Sequence, residues 1–335
     1  MATTIKDIAR ESGVNISTVS RALNDVYGVH RETRGNILAV ATRLNYYPNR
    51  VARGLKTQRS HTLGLIVSDI RNPFFAEVTR GAEDAARVGG YDLVLCNSDL
   101  DARKQIEYVA SLMEKQVDGI LMNSVADLTR KQQDQLASSG VPIVLLNRSA
   151  ASKSFSTVCA DNEAGGAMAA QYLLRLGHEN IAHLTGPRRH GNLTDRARGF
   201  LRVLKTAGAK PKITTLHGEN SFSGGRALTQ KLLRQQPSVS AIFAGNDLMA
   251  FGAIRAMLEL GRRVPEDVSL IGFDNLELAS VVHPPLTTIH QPKYEMGRAA
   301  SEMLLRLAHK QGKAPSEHLL LGVELIERES CRKRL

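Results

Sequence analysis

The stretch TIKDIARESGVNISTVSRALN, residues 4–24, contains two short helical patterns separated by a tight turn. In the first pattern, apolar side chains recur from Ile5 at the i, i+3, i+4 spacing that places them on one helix face. Gly13 can adopt the left-handed conformation that ends many helices. Asn15 can then accept hydrogen bonds from the free N–H groups of the next helix. The stretch therefore predicts two helices that cross at a four-residue turn.

The second helical pattern has an apolar inner side and a polar outer side. The inner stripe consists of Val19, Ala22 and Leu23, and the outer face carries Ser17, Ser20, Arg21 and Asn24. A helix pair with this polar second helix is typical of the helix-turn-helix motif, which lays that helix in a DNA major groove. Spacing alone leaves open an αα-hairpin that only caps a domain.

The positive charge is concentrated at the amino-terminal end. The chain has 335 residues and a formal charge of +11, and residues 1–60 hold ten Lys or Arg but four Asp or Glu. Such a basic surplus is typical of surfaces that bind phosphates. The three cysteines are odd in number and far apart, and no apolar run resembles an export signal or a membrane span. We therefore expect a cytoplasmic protein.

A third helix is expected over residues 32–44, with Ile37, Leu38, Ala41 and Leu44 on its inner face. Residues 48–56 could form a further helix of only two turns, which is marginal alone in water because helix nucleation is costly. Gly54 weakens it further. We expect this segment to become ordered only when it binds something.

From His61 onward, buried-type strands alternate with helical patterns in two successive rounds, the last helix being expected over residues 276–282. This rhythm predicts two doubly wound parallel sheets with helices on both faces. Ligands in such folds bind at the carboxyl ends of the strands, so two facing lobes would enclose a binding cleft.

Several motifs in order resemble those of LacI/GalR-family transcriptional repressors over residues 4–329, with a ribose-repressor-like core. They are residues 4–24, NPFFAEVTRGAEDAA near 72–86, VDGILM at 117–122, RLGHENIAHLTGP at 175–187, FAGNDLMAFGAI at 243–254, VPEDVSLIGFDN at 264–275 and PPLTTIHQP at 284–292. The resemblance implies an all-α helix-turn-helix headpiece and an α/β core like that of periplasmic binding proteins. The implied domains are a headpiece (1–47), a hinge helix or linker (48–60) and an effector-binding and dimerisation core (61–335). Lobe one would take about 61–160 and 292–320, and lobe two about 162–290 and 322–335.

The resemblance also implies which residues bind DNA. Bases would be read through Ile16, Ser17 and Arg21, and the residues themselves agree for Ser17 and Arg21, which lie four apart on the outer face. Arg can bond guanine O6 and N7, whereas Ile16 could meet a thymine methyl or simply pack. Thr18 and Asn24 would contact phosphates or solvent. In the hinge helix, Leu55 would be wedged into the minor groove with Lys56 beside it.

The effector site implied by the resemblance lies in the cleft. Its residues are Asn72, Phe74, Phe75, Asn147, Arg148, Arg196, Asn246, Asp274 and Gln291. Aromatic rings suit the C–H faces of a sugar, and amides, carboxylates and arginine suit its hydroxyls. Each residue taken singly could be a loop or capping residue.

Two departures from sugar-binding relatives concern charge. This chain has Asn147 where they often have aspartate, and Asn220 where they often have an aromatic residue. Arg71, Arg188, Arg189 and His190 lie nearby. Fewer acids and more cations favour a sugar acid or a sugar phosphate, although a solvated arginine cluster explains them equally well.

We therefore expect a homodimeric DNA-binding repressor of carbohydrate-metabolism genes that binds an inverted repeat and is switched by a sugar-like effector. A purine- or nucleoside-responsive repressor is the alternative. A periplasmic sugar carrier would have no use for residues 1–60. An enzyme has no support, because no nucleotide-binding glycine loop, zinc motif or nucleophile elbow is present. We thus expect no catalytic residue, no metal and no membrane partner, and the sign of the effector's action stays open.

Overall fold

The computed structural model describes residues 3–46, 59–123, 129–147, 155–187, 191–208, 211–309 and 315–334, apart from the side chains of Gln135 and Ala137. The expected hinge helix with Leu55 and Lys56, and also Arg148 and residues 188–190, lie outside the described residues. The chain divides into two compact units, Met1–Ser60 and His61–Leu335. Among the described residues, no helix is long and apolar enough to cross a membrane.

The first unit is a three-helix headpiece. Its helices are α1 (Ile5–Ser12), α2 (Ile16–Leu23) and α3 (Arg31–Arg43). They close on a core centred on Ile8, Val19 and Ile37, each with no exposed surface. Between α1 and α2, Gly13 adopts the expected left-handed conformation with φ 67°.

Two local expectations for the headpiece are wrong. Leu38 is 45% exposed, because Val40, about one helical turn after the buried Ile37, occupies the inner face of α3 in its place. Asn15 begins α2 without a side-chain cap, and its backbone carbonyl instead accepts from Thr18 (2.9 Å) and Val19 (3.0 Å).

The second unit consists of two lobes with similar architecture. In lobe one the strands are β1 (Thr62–Val67), β2 (Asp92–Asn97), β3 (Gly119–Asn123), β4 (Ile143–Leu146), β5 (Ser156–Ala160) and β11 (His318–Leu321), with helices α4 (Phe74–Val88), α5 (Ala102–Glu114), α6 (Arg130–Ser138) and α11 (Lys293–His309). In lobe two the strands are β6 (Asn180–Thr185), β7 (Lys212–His217), β8 (Ala241–Ala244), β9 (Ser269–Asp274), β10 (Thr287–His290) and β12 (Glu324–Ile326), with helices α7 (Asn162–Arg175), α8 (Gly191–Thr206), α9 (Phe222–Gln235) and α10 (Asp247–Glu259).

Each lobe contains one six-stranded sheet. The strand order is β11-β5-β4-β3-β1-β2 in lobe one and β12-β10-β9-β8-β6-β7 in lobe two. The inner strands are almost wholly buried, as expected for parallel strands covered by helices on both faces. The predicted fold class, a helix-turn-helix headpiece with two doubly wound lobes, is confirmed.

The chain passes between the lobes three times. The crossings follow β5 at Ala160, β10 at His290 and β11 at Leu321. The last crossing inserts β11 beside β5 in one sheet and β12 beside β10 in the other. Because all three crossings lie close to strand ends, they adjoin the cleft between the lobes.

Two expectations for the core need correction. The helix expected over residues 276–282 is only a short 3₁₀-helix, Glu277–Ser280, and the prolines Pro284 and Pro285 that follow cannot supply N–H groups to extend it. The sheet of lobe two is not entirely parallel, since β12 pairs antiparallel with β10.

Close helix pairs cover the sheets. In lobe one, α4 and α11 approach so closely at Gly81 and Gly297 that a Cβ on either would clash with a carbonyl of the facing helix, at Tyr294 and Val78 respectively. Helix α11 is therefore held tightly to lobe one by backbone contact.

Candidate functional site

Helix α2 presents an exposed polar surface on the headpiece. Ile16, Ser17, Arg21 and Asn24 are exposed, Thr18 is half-buried, and Val19 and Ala22 face the core. The Asn24 amide donates to the Ser20 carbonyl at 2.7 Å, so this side chain is bound to the last turn of α2. The arrangement leaves Ser17 and Arg21 available on one face.

Two further features of the headpiece surface were missed by sequence reasoning. A shallow depression between α1 and α2 is lined by Lys6 and Arg10 together with Ile16 and Ser17. Beyond α2, Tyr27 is 99% exposed. A turn that is closed by left-handed residues carries no hydrophobic periodicity, so the sequence pattern could not show how Tyr27 is presented.

A cleft of about 710 Å³ lies between the two lobes of the second unit. Its lining includes seven residues predicted to bind the effector, namely Asn72, Phe74, Phe75, Asn147, Arg196, Asn246 and Asp274. They come from the loops after β1, β4 and β8, from the end of β9, and from helices α4 and α8. The cleft therefore brings together side chains that lie up to about two hundred positions apart in the sequence.

Arg196 and Asp274 form a buried pair at the floor of the cleft, 2% and 3% exposed. The Arg196 guanidinium lies 3.4 Å from the Asp274 carboxylate, with its centre 3.6 Å from the centroid of the Phe273 ring. It also donates to the Asn162 side chain (2.8 Å) and to the Gly245 carbonyl (2.6 Å). The planar guanidinium of Arg196 directs its N–H groups to several acceptors at once, and these contacts hold the Arg196 and Asp274 side chains in fixed positions.

Gln291 does not line the cleft. It is fully buried, and its amide donates to the Asp274 carboxylate at 2.6 Å. Gln291 thus lies behind Asp274 and orients that carboxylate instead of facing the cavity. Its own Oε1 has no hydrogen-bond partner among the described residues.

A second buried carboxylate, Asp247, was missed by sequence reasoning. It accepts from the Thr288 hydroxyl (2.6 Å) and the Leu276 backbone N–H (2.7 Å). Burial, and then the nearby Asp274 charge, raises the pKa of Asp247 to about 8. Asn246 and Asp247 are adjacent polar residues at the start of α10 and look alike in sequence, but of the two only Asn246 lines the cleft. The Asn246 Oδ1 also caps α10 by accepting from the Met249 backbone N–H at 2.9 Å.

The aromatic residues of the cleft differ in exposure. Phe74 and Phe75 are 3% and 7% exposed and pack edge to face, with ring centroids 5.1 Å apart. Phe222, at the start of α9, is 46% exposed and also lines the cavity. Sequence reasoning considered only Asn220 in this region, because a single aromatic at a helix start has no pattern of its own.

Two buried amide oxygens in the cleft wall have no partner among the described residues, Oδ1 of Asn147 and Oδ1 of Asn220. Asn147 has a left-handed backbone with φ 54°. Buried polar atoms without a partner are uncommon in proteins. These two oxygens are therefore suited to accept hydrogen bonds from a ligand's hydroxyls.

The described cations of the cleft lining are both paired. Arg71 binds Asp69 through two hydrogen bonds of 2.9 and 3.1 Å, and Arg196 pairs with Asp274. Glu219 adds a further negative charge to the lining. No group of His, Cys, Asp and Glu among the described residues could hold a metal ion.

Comparison with known families gives a match over nearly the whole chain. Residues 60–329 match the family described as periplasmic binding proteins and sugar binding domain of LacI family. Residues 4–49 match the bacterial regulatory proteins of the lacI family. Each match covers one of the two structural units.

Among curated relatives, the ribose operon repressor of Bacillus subtilis (strain 168) is 35% identical over 98% of this chain and 99% of its own length. The HTH-type transcriptional repressor PurR of Edwardsiella ictaluri (strain 93-146) is 37% identical over 98% of this chain and 96% of its own. Both are transcriptional regulators, in agreement with the prediction that this chain is not an enzyme.

Solved structures agree. The lac repressor dimer bound to operator and the anti-inducer ONPF has a TM-score of 0.90 and 29% identity, covering 99% of this chain and all of that chain. A LacI family transcriptional regulator from Enterococcus faecalis V583 with bound ribose has a TM-score of 0.74 and 34% identity, covering 82% of this chain and all of that chain. With both units matched and full-length relatives above 30% identity, the chain belongs to the LacI family of bacterial transcriptional regulators.

Proposed function

We propose that this protein is a cytoplasmic homodimeric repressor that binds an inverted-repeat operator and is controlled by a small neutral sugar in the cleft. The observation that supports the sugar most directly is the lining of the cleft. It combines an exposed aromatic ring, Phe222, with the fixed Asp274 carboxylate and with amide oxygens on Asn147 and Asn220 that have no partner among the described residues. Rings stack on sugar C–H faces, and such acceptors suit hydroxyl groups.

The charge of the described lining residues supports a neutral sugar over the sugar acid or sugar phosphate considered from the sequence. Among the described lining residues, both arginines are paired with aspartates, and Glu219 leaves a negative surplus. An anionic ligand would have to compete for a cation that is already neutralised, and it would approach a like charge. A neutral polyhydroxylated ring meets neither obstacle.

In the headpiece, we propose that Ser17 and Arg21 read base edges and that Ile16 contacts a thymine methyl. All three are exposed on α2, while Thr18 and Asn24 remain candidates for phosphate contacts. Lys6 and Arg10, at the edge of the same surface, would add phosphate contacts. Leu55 and Lys56 remain proposed hinge contacts on the resemblance alone.

The effector can be tested by thermal unfolding of the full-length protein with D-ribose, hexoses, sugar acids, sugar phosphates, and purine bases and nucleosides. A ligand that binds only the folded state at 100 times its Kd adds about 2.7 kcal/mol, which raises Tm measurably. We expect stabilisation by a neutral sugar. Stabilisation by sugar acids or phosphates alone would overturn the charge argument, and stabilisation by purines alone would establish the purine-responsive alternative, to which PurR is the related protein.

A further inference from the structure

Lys293 begins helix α11, immediately after the second crossing between the lobes. Its side chain reaches back into lobe two, where the ammonium donates to the carbonyls of Asp274 (2.6 Å) and Asn275 (2.9 Å). Lys293 is 8% exposed and does not line the cleft. It therefore touches the backbone of an effector-site residue without being placed to touch the effector.

The turn that Lys293 binds has an unusual backbone. Asp274 has φ 116° and Asn275 has φ 51°, both in the left-handed region that side chains with a Cβ seldom adopt. Such conformations persist only where the surroundings hold them. The buried Lys293 ammonium donates one hydrogen bond to each of the two consecutive carbonyls, and these bonds stabilise the left-handed turn.

Asp274 is connected to two of the three crossings. Through its carboxylate it contacts Arg196, which donates to Asn162 at the first crossing. At the second crossing, its carboxylate accepts from Gln291 and its carbonyl accepts from Lys293. A displacement of Asp274 therefore changes contacts at two of the three crossings between the lobes.

The charges around Lys293 come from both lobes. Burial lowers the pKa of Lys293, and the acidic side chains of Asp274 and Asp247 from lobe two and of Glu77 from lobe one act on it in the opposite direction. Helix α11 packs on α4 of lobe one at the close contact of Gly297 with Val78. Movement of the Lys293 end of α11 must therefore be shared by lobe one, which directly follows the headpiece and hinge segments in the chain.

We propose that Lys293 is a positioning residue that couples effector binding at Asp274 to the movement of lobe one, and hence to operator affinity. This inference rests on the proposed function of the cleft. When the effector engages the Asp274 carboxylate, the 274–275 turn shifts, and the buried ammonium follows because losing its acceptors would leave it unpaired. The first turn of α11 moves with it.

The test measures a coupling factor, the ratio of operator Kd with and without a saturating effector, on the full-length protein. D-ribose is the first probe, replaced by whichever sugar of the panel raises Tm. Lys293→Met removes the donor and keeps the aliphatic stem, and Lys293→Gln keeps a neutral donor. Lys293→Arg retains charge and donors. Lys231→Met, at an exposed position on α9, is the matched control.

We expect a wild-type coupling factor of about 5- to 150-fold, as is typical of allosteric proteins, falling below about threefold in Lys293→Met and Lys293→Gln. Lys293→Arg and Lys231→Met should retain most of it. The effector Kd, measured by calorimetry, should change by less than about tenfold in every variant, since Lys293 does not face the cavity. If Lys293→Met does not fold, the coupling factor of Lys293→Gln is the measurement that tests the proposal.

An unchanged coupling factor in folded Lys293→Gln or Lys293→Met would overturn the proposal. The proposal would also be wrong if the variants bound the effector more weakly but showed the normal coupling factor at higher effector concentration. That result would mean that Lys293 contributes to effector binding and does not transmit it to lobe one. If the wild-type protein binds no sugar of the panel, the proposed function fails first, and this inference falls with it. Sugar binding by wild type with unaltered coupling in the variants would overturn this inference alone.

Discussion

Arg21 and Ser17 lie four positions apart on the exposed face of α2, with Val19 and Ala22 anchoring that helix in the headpiece core. We expect Arg21→Ala to weaken binding to the preferred operator by about 1–3 kcal/mol and to relax selectivity at one base position in each half-site. Selection from randomised DNA followed by gel-shift titration measures both. An equal loss on all sequences would instead identify Arg21 as a phosphate contact.

Phe222 offers an exposed ring to the cleft, whereas Phe74 and Phe75 are packed against one another. Since stacking of a base or a sugar needs a free ring face, Phe222→Ala should weaken effector binding by about 1–2 kcal/mol, roughly tenfold in Kd. Phe222→Tyr should retain the wild-type affinity. Calorimetric titration with the sugar identified by thermal shift checks this. Equal affinities for wild type and Phe222→Ala would show that the ring is not a ligand contact.

We expect Asp247 to make the stability of the core depend on pH. Its pKa is raised from 3.8 to about 8 in the folded state by burial and then by the Asp274 charge. Between about pH 4 and pH 8 the folded state therefore holds a proton that the unfolded chain releases, so this residue's contribution to the free energy of unfolding falls as pH rises. The decline amounts to a few kcal/mol.

Asp247→Asn resembles the protonated acid and should remove this decline. We expect the variant to become progressively more stable relative to wild type from pH 5 to pH 8.5, as measured by thermal or urea unfolding at each pH. A difference in stability that does not vary with pH would show that Asp247 does not bind a proton over this range in the folded protein.

The sequence showed part of the cleft and missed the rest for a physical reason. Asn147, Arg196 and Asp274 were predicted from the resemblance and from their places near strand ends, and all three line the cavity. Gln291 was predicted as well, yet it lies behind Asp274. Which neighbour at a strand end faces a cavity depends on backbone angles such as the positive φ of Asp274, and a sequence pattern does not encode those angles.

At the scale of elements, the close pairing of α4 and α11 joins the second crossing to lobe one. Gly297→Ala would place a Cβ against the Val78 carbonyl, and backbone cannot be moved aside as a flexible side chain can. We expect a loss of about 1–3 kcal/mol in the free energy of unfolding, which is the usual cost of overpacking.

Gly208→Ala is the control for that substitution, because a Cβ at Gly208 meets no atom within 4 Å. Urea unfolding of the two variants and wild type measures the difference. If Gly297→Ala were as stable as Gly208→Ala, the two helices would not be held by backbone contact.

Elements were predictable where burial produced a long apolar run. The inner strands, such as β3 and β9, were recognised from such runs, and the structure places them at the centre of each sheet. By contrast β11 and β12 are three or four residues long and partly exposed, and they belong to different sheets despite being close in sequence. Their pairing is decided by the third crossing, which local pattern cannot reveal.

At the scale of the whole molecule, a two-fold symmetric dimer should engage both halves of an inverted repeat, because protein symmetry imposes operator symmetry. The lac repressor dimer, which the chain resembles with a TM-score of 0.90, is bound to its operator in this assembled form. The headpiece unit is the more basic part of the chain for its length, with ten basic against four acidic residues in residues 1–60. The salt dependence of the operator association constant should therefore show whether one or two headpieces are bound to the DNA.

The observed association constant falls with salt with a slope of about −0.9 for each neutralised phosphate, so two headpieces should give about twice the slope of one. We expect DNA with one half-site scrambled to bind at least tenfold more weakly than the intact repeat, with a slope shifted towards half its value if the second headpiece is released. Fluorescence anisotropy from 50 to about 200 mM salt distinguishes the cases. Equal affinity and equal slope on both DNAs would mean that a single headpiece supplies all specific binding, and the homodimeric operator complex proposed for this protein would be wrong.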